Sequence, residues 1–214
     1  GFFDDLVIGH AGVLRDNNVR PDSDLQQLAK LKPAFDKSGN GTLTAGNSTA
    51  LTDGAAAVLL TSEDYANKHN LPVSAWLTHS RTAAVDFVDG DEGLLMAPTI
   101  AVSEMLERAD LSLQDFDFYE IHEAFAAQVL CTLRAWESND YCRDRLGRSE
   151  ALGAIDRARI NVKGSSLAVG HPFAATGARI VATLAHLLEE KGSGRGLISV
   201  CTAGGMGVSA ILER

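Results

Sequence analysis

Apolar positions along the chain recur at two spacings, in short near-continuous runs and in longer stretches with a period of three to four. The two kinds alternate. From Gly54 the run Ala-Ala-Ala-Val-Leu-Leu-Thr61 predicts a buried strand, and Ser62 predicts the cap of a helix reaching His69. Residues 73–78 read as a strand, and Pro98 opens a helix whose apolar positions include Ile100, Met105 and Leu106. Residues 116–121 predict a strand that runs directly into a helix over 123–134. The charged stretch from about 137 to 160 predicts a surface excursion with short helical turns. After it come a short strand near 166–169 and a helix with Pro172 at its first position. Ile180, Val181, Leu184, Leu187 and Leu188 share one face of that helix, and Gly192 stops it. Two apolar runs, 196–200 and 208–212, flank a glycine-rich turn and predict a hairpin. Residues 1 to about 50 are polar and turn-rich, with one helical pattern at 24–31 that Pro33 ends. Strands alternating with helices and closed by a hairpin predict a layered α/β fold with a mixed sheet.

With 214 residues, 45% hydrophobic and 22% charged, the chain has enough apolar surface for a real core. A net charge of −9 argues against a general grip on nucleic acid, which needs a basic face. Cys131, Cys142 and Cys201 lack metal-type spacing and are odd in number, so neither a zinc site nor a disulfide framework is favoured. A reducing compartment is expected. No apolar run approaches the roughly 18 residues of a membrane span.

His122, His171 and Cys201 each follow a predicted strand, and both histidines precede predicted helices. Groups at the carboxyl ends of strands in an α/β sheet converge on one crevice. A helix N-terminus disfavours imidazolium and would keep His171 neutral as a base, and the same field would lower the pKa of a nearby thiol. The turn Cys201-Thr-Ala-Gly-Gly-Met-Gly207 lets backbone N–H groups approach a developing oxyanion. On spacing alone the glycines read first as the makers of a tight hairpin, and His171 can likewise be a cap and Cys201 a small buried residue.

Four stretches narrow these options. Asn161-Val-Lys-Gly-Ser-Ser-Leu-Ala-Val-Gly-His-Pro-Phe-Ala-Ala-Thr-Gly-Ala-Arg179, His122-Glu-Ala-Phe125, Cys201 to Gly207, and Thr44-Ala-Gly-Asn-Ser-Thr-Ala-Leu-Thr-Asp-Gly-Ala-Ala-Ala57 closely resemble signature blocks of the thiolases. Histidine opening the His-Glu-Ala-Phe block, alanine at 203 and the long connection through Tyr141 to Arg148 resemble the fatty-acid-oxidation branch related to the trifunctional-enzyme β subunit. The resemblance implies a thiolase-like layered fold, with a mixed sheet of the five-stranded type covered by helices. It implies that residues 1–50 belong to a CoA-binding loop domain, 51–71 to the last strand and helix of an N-terminal domain, and 72–214 to a C-terminal domain.

The implied activity is ping-pong acyl transfer, the CoA-dependent cleavage of a 3-ketoacyl-CoA or its reversal. Coenzyme A and acyl-CoA are then substrates, with no permanent cofactor and no metal. His171 would activate a cysteine nucleophile, Cys201 would act as acid and base at the acetyl α-carbon, and His122 would serve the first oxyanion hole. The N–H of Ala203 would contribute to the second. Ala34, Phe35, Ala45 and Thr49 match loop positions that contact CoA, and Ala124 and Phe125 match the lining of the reacting end. Thiolases carry the nucleophile in an N-terminal half, and neither Cys131 nor Cys142 matches its setting. The expected partners are that N-terminal half, further copies of the chain, and a hydratase-dehydrogenase subunit. The expected location is the cytoplasm, or the mitochondrial matrix in a eukaryote. Alternatives from the residues alone are a non-catalytic CoA-binding or assembly module, and a cysteine hydrolase with Cys201 as nucleophile. The calcium-like loop Asp36-Lys-Ser-Gly-Asn-Gly-Thr-Leu43 is set aside because its twelfth position is Asn47 rather than glutamate.

Overall fold

Alternate residues of the two closing strands face different helices, and this organises the molecule into three layers. The structure, a computed structural model, describes residues 2–214. Its elements are α1 (Leu25–Leu28), α2 (Glu63–His69), β1 (Trp76–Ala84), α3 (Ala97–Ala109), β2 (Phe118–Ile121), α4 (Ala126–Trp136) and α5 (Asn139–Leu146). They continue with α6 (Ser166–Val169), α7 (Ala174–Lys191), β3 (Arg195–Thr202) and β4 (Met206–Glu213). The sheet has the order β1-β4-β3-β2, with β2 and β3 parallel and the other two pairs antiparallel. Among the described residues it has four strands rather than five.

Leu197 and Ile211 point to one face, where Val102, Met105 and Leu106 of α3, Leu133 and Trp136 of α4, and Tyr119 and Ile121 of β2 form one core. Ile198, Ala210 and Leu212 point to the other, against Ile180, Leu184 and Leu188 of α7. The two-residue period of the strands thus meets the helical period of α3 and α7 on opposite sides. Asn161 ties the layers where β2 ends: its side chain accepts from the Ile121 N–H at 2.8 Å and donates to the Ile121 carbonyl at 2.9 Å. Asn161 therefore imitates a neighbouring strand for one residue.

Several expectations need correction. The run 55–61 forms no strand and is exposed, because no neighbour pairs with it. The strand expected at 73–78 begins at Trp76 and runs to Ala84, set by its pairing with β4. The helix expected from Glu123 starts at Ala126, because Phe125 is still extended. The strand expected at 166–169 is a single helical turn, α6, which Glu123 caps through Oε2 accepting from the Leu167 N–H at 3.0 Å. Pro172 lies before its helix, which begins at Ala174 after Phe173 takes the uncommon φ of 35°. Gly192 ends α7 in the left-handed conformation as expected.

Candidate active site

The end of β2 carries His122, whose N–H donates to the Ser199 carbonyl of β3 at 2.9 Å. Two residues further along β3, about 7 Å away, Cys201 lies within the strand rather than after it. His171 comes from the turn between α6 and α7, not from a strand end. The structure nevertheless brings the two imidazoles together, with ring centroids 4.4 Å apart. Residues 47–52 thread between these turns. Thr49 donates from its N–H to the Ala124 carbonyl at 3.0 Å, Ala126 donates to the Asn47 carbonyl at 2.9 Å, and His171 donates to the Ala50 carbonyl at 2.9 Å. The Thr49 hydroxyl donates to the Ser166 carbonyl at 2.7 Å. The first N–H of α4 is therefore satisfied by a carbonyl from the threaded segment.

This threading requires glycine at 170. Its φ of 88° with ψ of 176° is a conformation essentially confined to glycine, and an added Cβ would stand 2.5 Å from the Thr52 side chain. Beyond β3, the turn 203–205 puts Gly204 and Gly205 at positive φ, with Ala203 and Gly204 exposed and Gly205 buried. The Ala203 N–H there has no partner among the described residues.

Electrostatics set the protonation of the three candidates. Burial pushes His122 down to about 4, with His171 and the Arg179 guanidinium adding to the effect. Burial, then Arg179, also lowers His171. Both rings are neutral near pH 7, and the causes are desolvation and a nearby cation rather than the helix field expected for His171. The expectation for Cys201 is reversed: burial raises its thiol to about 11, despite stabilisation of the thiolate by backbone donors at Cys201 and Ala124. Cys201 keeps its proton at neutral pH.

A polar set beneath the rings was not singled out in the sequence. His122 Nδ1 lies 2.8 Å from Ser166 Oγ, which accepts from Arg179 Nη2 at 3.1 Å. His171 Nδ1 lies 2.7 Å from Thr176 Oγ1. Glu123 accepts from Asn161 Nδ2 at 2.7 Å. Glu120 is fully buried with both carboxylate oxygens unpartnered, and burial pushes it up to about 8. A charged residue inside the apolar run 116–121 was the available signal, since such groups are rarely buried without a purpose. His79 is half-buried with Nδ1 unpartnered.

The other candidates divide. Phe35 packs edge-on against Phe125, with centroids 5.7 Å apart. The Ala34 N–H donates to the Leu43 carbonyl at 2.8 Å, and Ala45 is exposed in a turn that Asn47 closes through its side chain. Cys131 is exposed on α4 and Cys142 is buried on α5, so neither joins the histidines. Among the described residues no group of three or more histidine, cysteine or carboxylate side chains is placed to hold a metal ion. No helix among them is long and apolar enough to cross a membrane.

A family model described as "Thiolase, C-terminal domain" matches residues 71–214, and one described as "Thiolase, N-terminal domain" matches residues 7–64. The chain is 46% identical over 201 residues to a 3-ketoacyl-CoA thiolase of Yersinia pestis, covering 94% of this chain and 45% of that protein. Human mitochondrial 3-ketoacyl-CoA thiolase superposes with a TM-score of 0.77 at 35% identity, over 94% of this chain and 45% of its own. A structure of human mitochondrial 3-ketoacyl-CoA thiolase in complex with CoA superposes with a TM-score of 0.72 at 33% identity and the same coverage. The chain spans about half the length of the curated relatives it matches. With the paired histidines brought together from its own signature stretches, the chain belongs to the thiolase family.

Proposed function

We propose that this chain supplies the acid/base half of a centre that cleaves a 3-ketoacyl-CoA with coenzyme A, giving acetyl-CoA and an acyl-CoA shortened by two carbons, as in fatty acid β-oxidation. The observation that carries this reading is the pair of neutral imidazoles, 4.4 Å apart, beside the strand that bears Cys201. A cysteine thiol on a segment outside these 214 residues gives its proton to His171 and adds to the 3-keto carbon. His122, together with His171, donates to the resulting alkoxide. The bond between the α-carbon and the former ketone then breaks. Its electron pair goes to the α-carbon, which takes the Cys201 proton and leaves as acetyl-CoA, while the alkoxide becomes the carbonyl of an acyl-enzyme. The incoming CoA thiol returns a proton to Cys201 and attacks that carbonyl, with the Ala203 N–H facing the second oxyanion. Collapse frees the shortened acyl-CoA and restores the thiolate beside protonated His171. A Cys201 thiol held up at about 11 suits this role, because it starts the cycle protonated.

Residues 1–50 would form part of the CoA-binding loops, with Ala34, Phe35, Ala45 and Thr49 along the ligand and Ala124 and Phe125 at its reacting end. Residues 51–71 would complete an N-terminal domain, and 72–214 form the C-terminal one. The N-terminal thiolase half and a second copy of the chain are the partners this arrangement calls for, with a hydratase-dehydrogenase subunit as a further one. A reducing compartment, the cytoplasm or the mitochondrial matrix, suits the three free cysteines. The hydrolase reading, with Cys201 as nucleophile, is disfavoured by its burial and raised pKa.

The test is intact mass of the purified material followed by incubation with CoA and either acetoacetyl-CoA or a longer 3-ketoacyl-CoA, with acetyl-CoA as readout. Turnover in the presence of an N-terminal thiolase segment, on the same or a second polypeptide, is expected. CoA binding without turnover alongside every N-terminal partner would leave a binding or assembly module instead.

A further inference from the structure

The two neighbouring histidines are held by hydroxyls of different kinds. Thr176 Oγ1, against His171 Nδ1, has no cation bonded to it among the described residues, so it is free either to donate or to accept. Ser166 Oγ, against His122 Nδ1, already accepts from Arg179 Nη2. A guanidinium only donates, and a serine hydroxyl has one hydrogen. Ser166 is fully buried, and His122 Nδ1 is the one acceptor for that hydrogen among the described residues. If Nδ1 carried a proton instead, the buried Ser166 O–H would be left without an acceptor.

We propose that Ser166, held by Arg179, is a positioning residue that fixes His122 as the Nε2–H tautomer and so aims a neutral N–H donor at the substrate oxygen. The proposal rests on the reading of His122 as an oxyanion donor, and it extends that reading to two residues outside the reacting shell. A donor that never changes protonation stabilises the alkoxide without competing for its proton. His171, as the base, must take up and return a proton, and its Thr176 partner permits both states. The surroundings of Arg179 agree. Its Nε and Nη1 are buried without partners, leaving the bond to Ser166 as the direct one it makes beside the rings among the described residues. The cation beside the ring also opposes imidazolium.

Histidine-selective 15N labelling of the protein, with ring nitrogens read by long-range proton correlation, tests this without any assay. Unmodified His122 is expected as the neutral Nε2–H form near pH 7. In Ser166→Ala, the Nδ1–H form is expected to rise to a comparable population, while His171 keeps its spectrum. Finding Nδ1–H in the unmodified protein, or an unchanged tautomer in Ser166→Ala, would overturn the proposal even if the protein is an active thiolase. Arg179→Lys keeps a donor to Ser166 and is expected to keep the tautomer. In an active preparation, Ser166→Ala is expected to lower kcat about tenfold, with KM within about twofold. Absence of turnover in every preparation would count against the thiolysis reading and leave the tautomer result standing.

Discussion

Residues 2–65 and residues 72–214 carry apolar side chains in similar abundance, yet only the second region buries them. No residue from 2 to 65 is buried, and Leu6, Ile8, Leu14, Leu25, Leu59 and Leu60 are exposed. The later region puts Trp136, Tyr119, Phe116 and two clusters of aliphatic residues out of contact with water. The difference is one of available surface: β3 and β4 find each other and two helices, while the run 55–61 finds no strand to pair with. The regions meet along residues 47–52, and that seam is where the histidines lie. A sequence pattern therefore proposes an element, and the surface around it decides whether the element forms.

The largest effect expected from this contrast is chemical. At pH 8 a thiol held at about 11 is about one part in a thousand thiolate. Iodoacetamide should therefore modify exposed Cys131 first, with Cys201 slower by two orders of magnitude or more, as read by peptide mass spectrometry. The Cys201 rate should go on rising with pH past 10, because its thiolate fraction does. Comparable rates at pH 8 would mean that the seam does not shield Cys201.

Stability should divide in the same way. Trp136→Ala removes a fully buried indole from the larger core and should cost about 3–5 kcal/mol in chemical denaturation. Leu59→Ala, at a position 77% exposed, should stay within about 0.5 kcal/mol. A large loss from the second change would show that residues 55–61 are covered by another surface.

How much was legible follows from the same contrast. The terminal hairpin, α3 and α7 were readable because each has a partner within the chain that matches its period. The stretch 166–169 departs from its expected strand because a short segment with three apolar residues is equally a strand or one helical turn, and the side chain that decides it, Glu123, lies over forty residues away. His122, His171 and Cys201 were legible from motif and residue type. The protonation of Cys201 was not, since burial inside β3 outweighs any helix field and burial is a property of the packed state. Ser166, Arg179 and Glu123 stood inside the matched stretches, but their roles depend on contacts that no spacing shows.

At the seam the effects become smaller and more local. Gly170→Ala forces a Cβ into a glycine conformation and onto Thr52, at a cost of about 1–3 kcal/mol. Its signature should be faster amide exchange at Thr52 and His171, with the amides of β3 and β4 still protected. Equal loosening of the central strands would mean that the two regions unfold as one unit.

Thr49→Val gives the most local effect at the seam. It keeps the shape of the side chain and the Thr49 N–H bond to Ala124, and deletes only the hydroxyl that donates to the Ser166 carbonyl. That carbonyl still accepts from the Gly170 N–H at 3.0 Å, so no acceptor is orphaned, and the loss should be about 1 kcal/mol. Because the regions are joined by a few hydrogen bonds rather than by a shared core, exchange should quicken at Ala126 and His171, whose amides donate to Asn47 and Ala50 on either side of Thr49. Thr49→Ser keeps the hydroxyl and should restore protection. If Thr49→Val instead leaves those amides unchanged, the seam is held by something other than its hydrogen bonds, and packing of Phe35 on Phe125 becomes the contact to remove next.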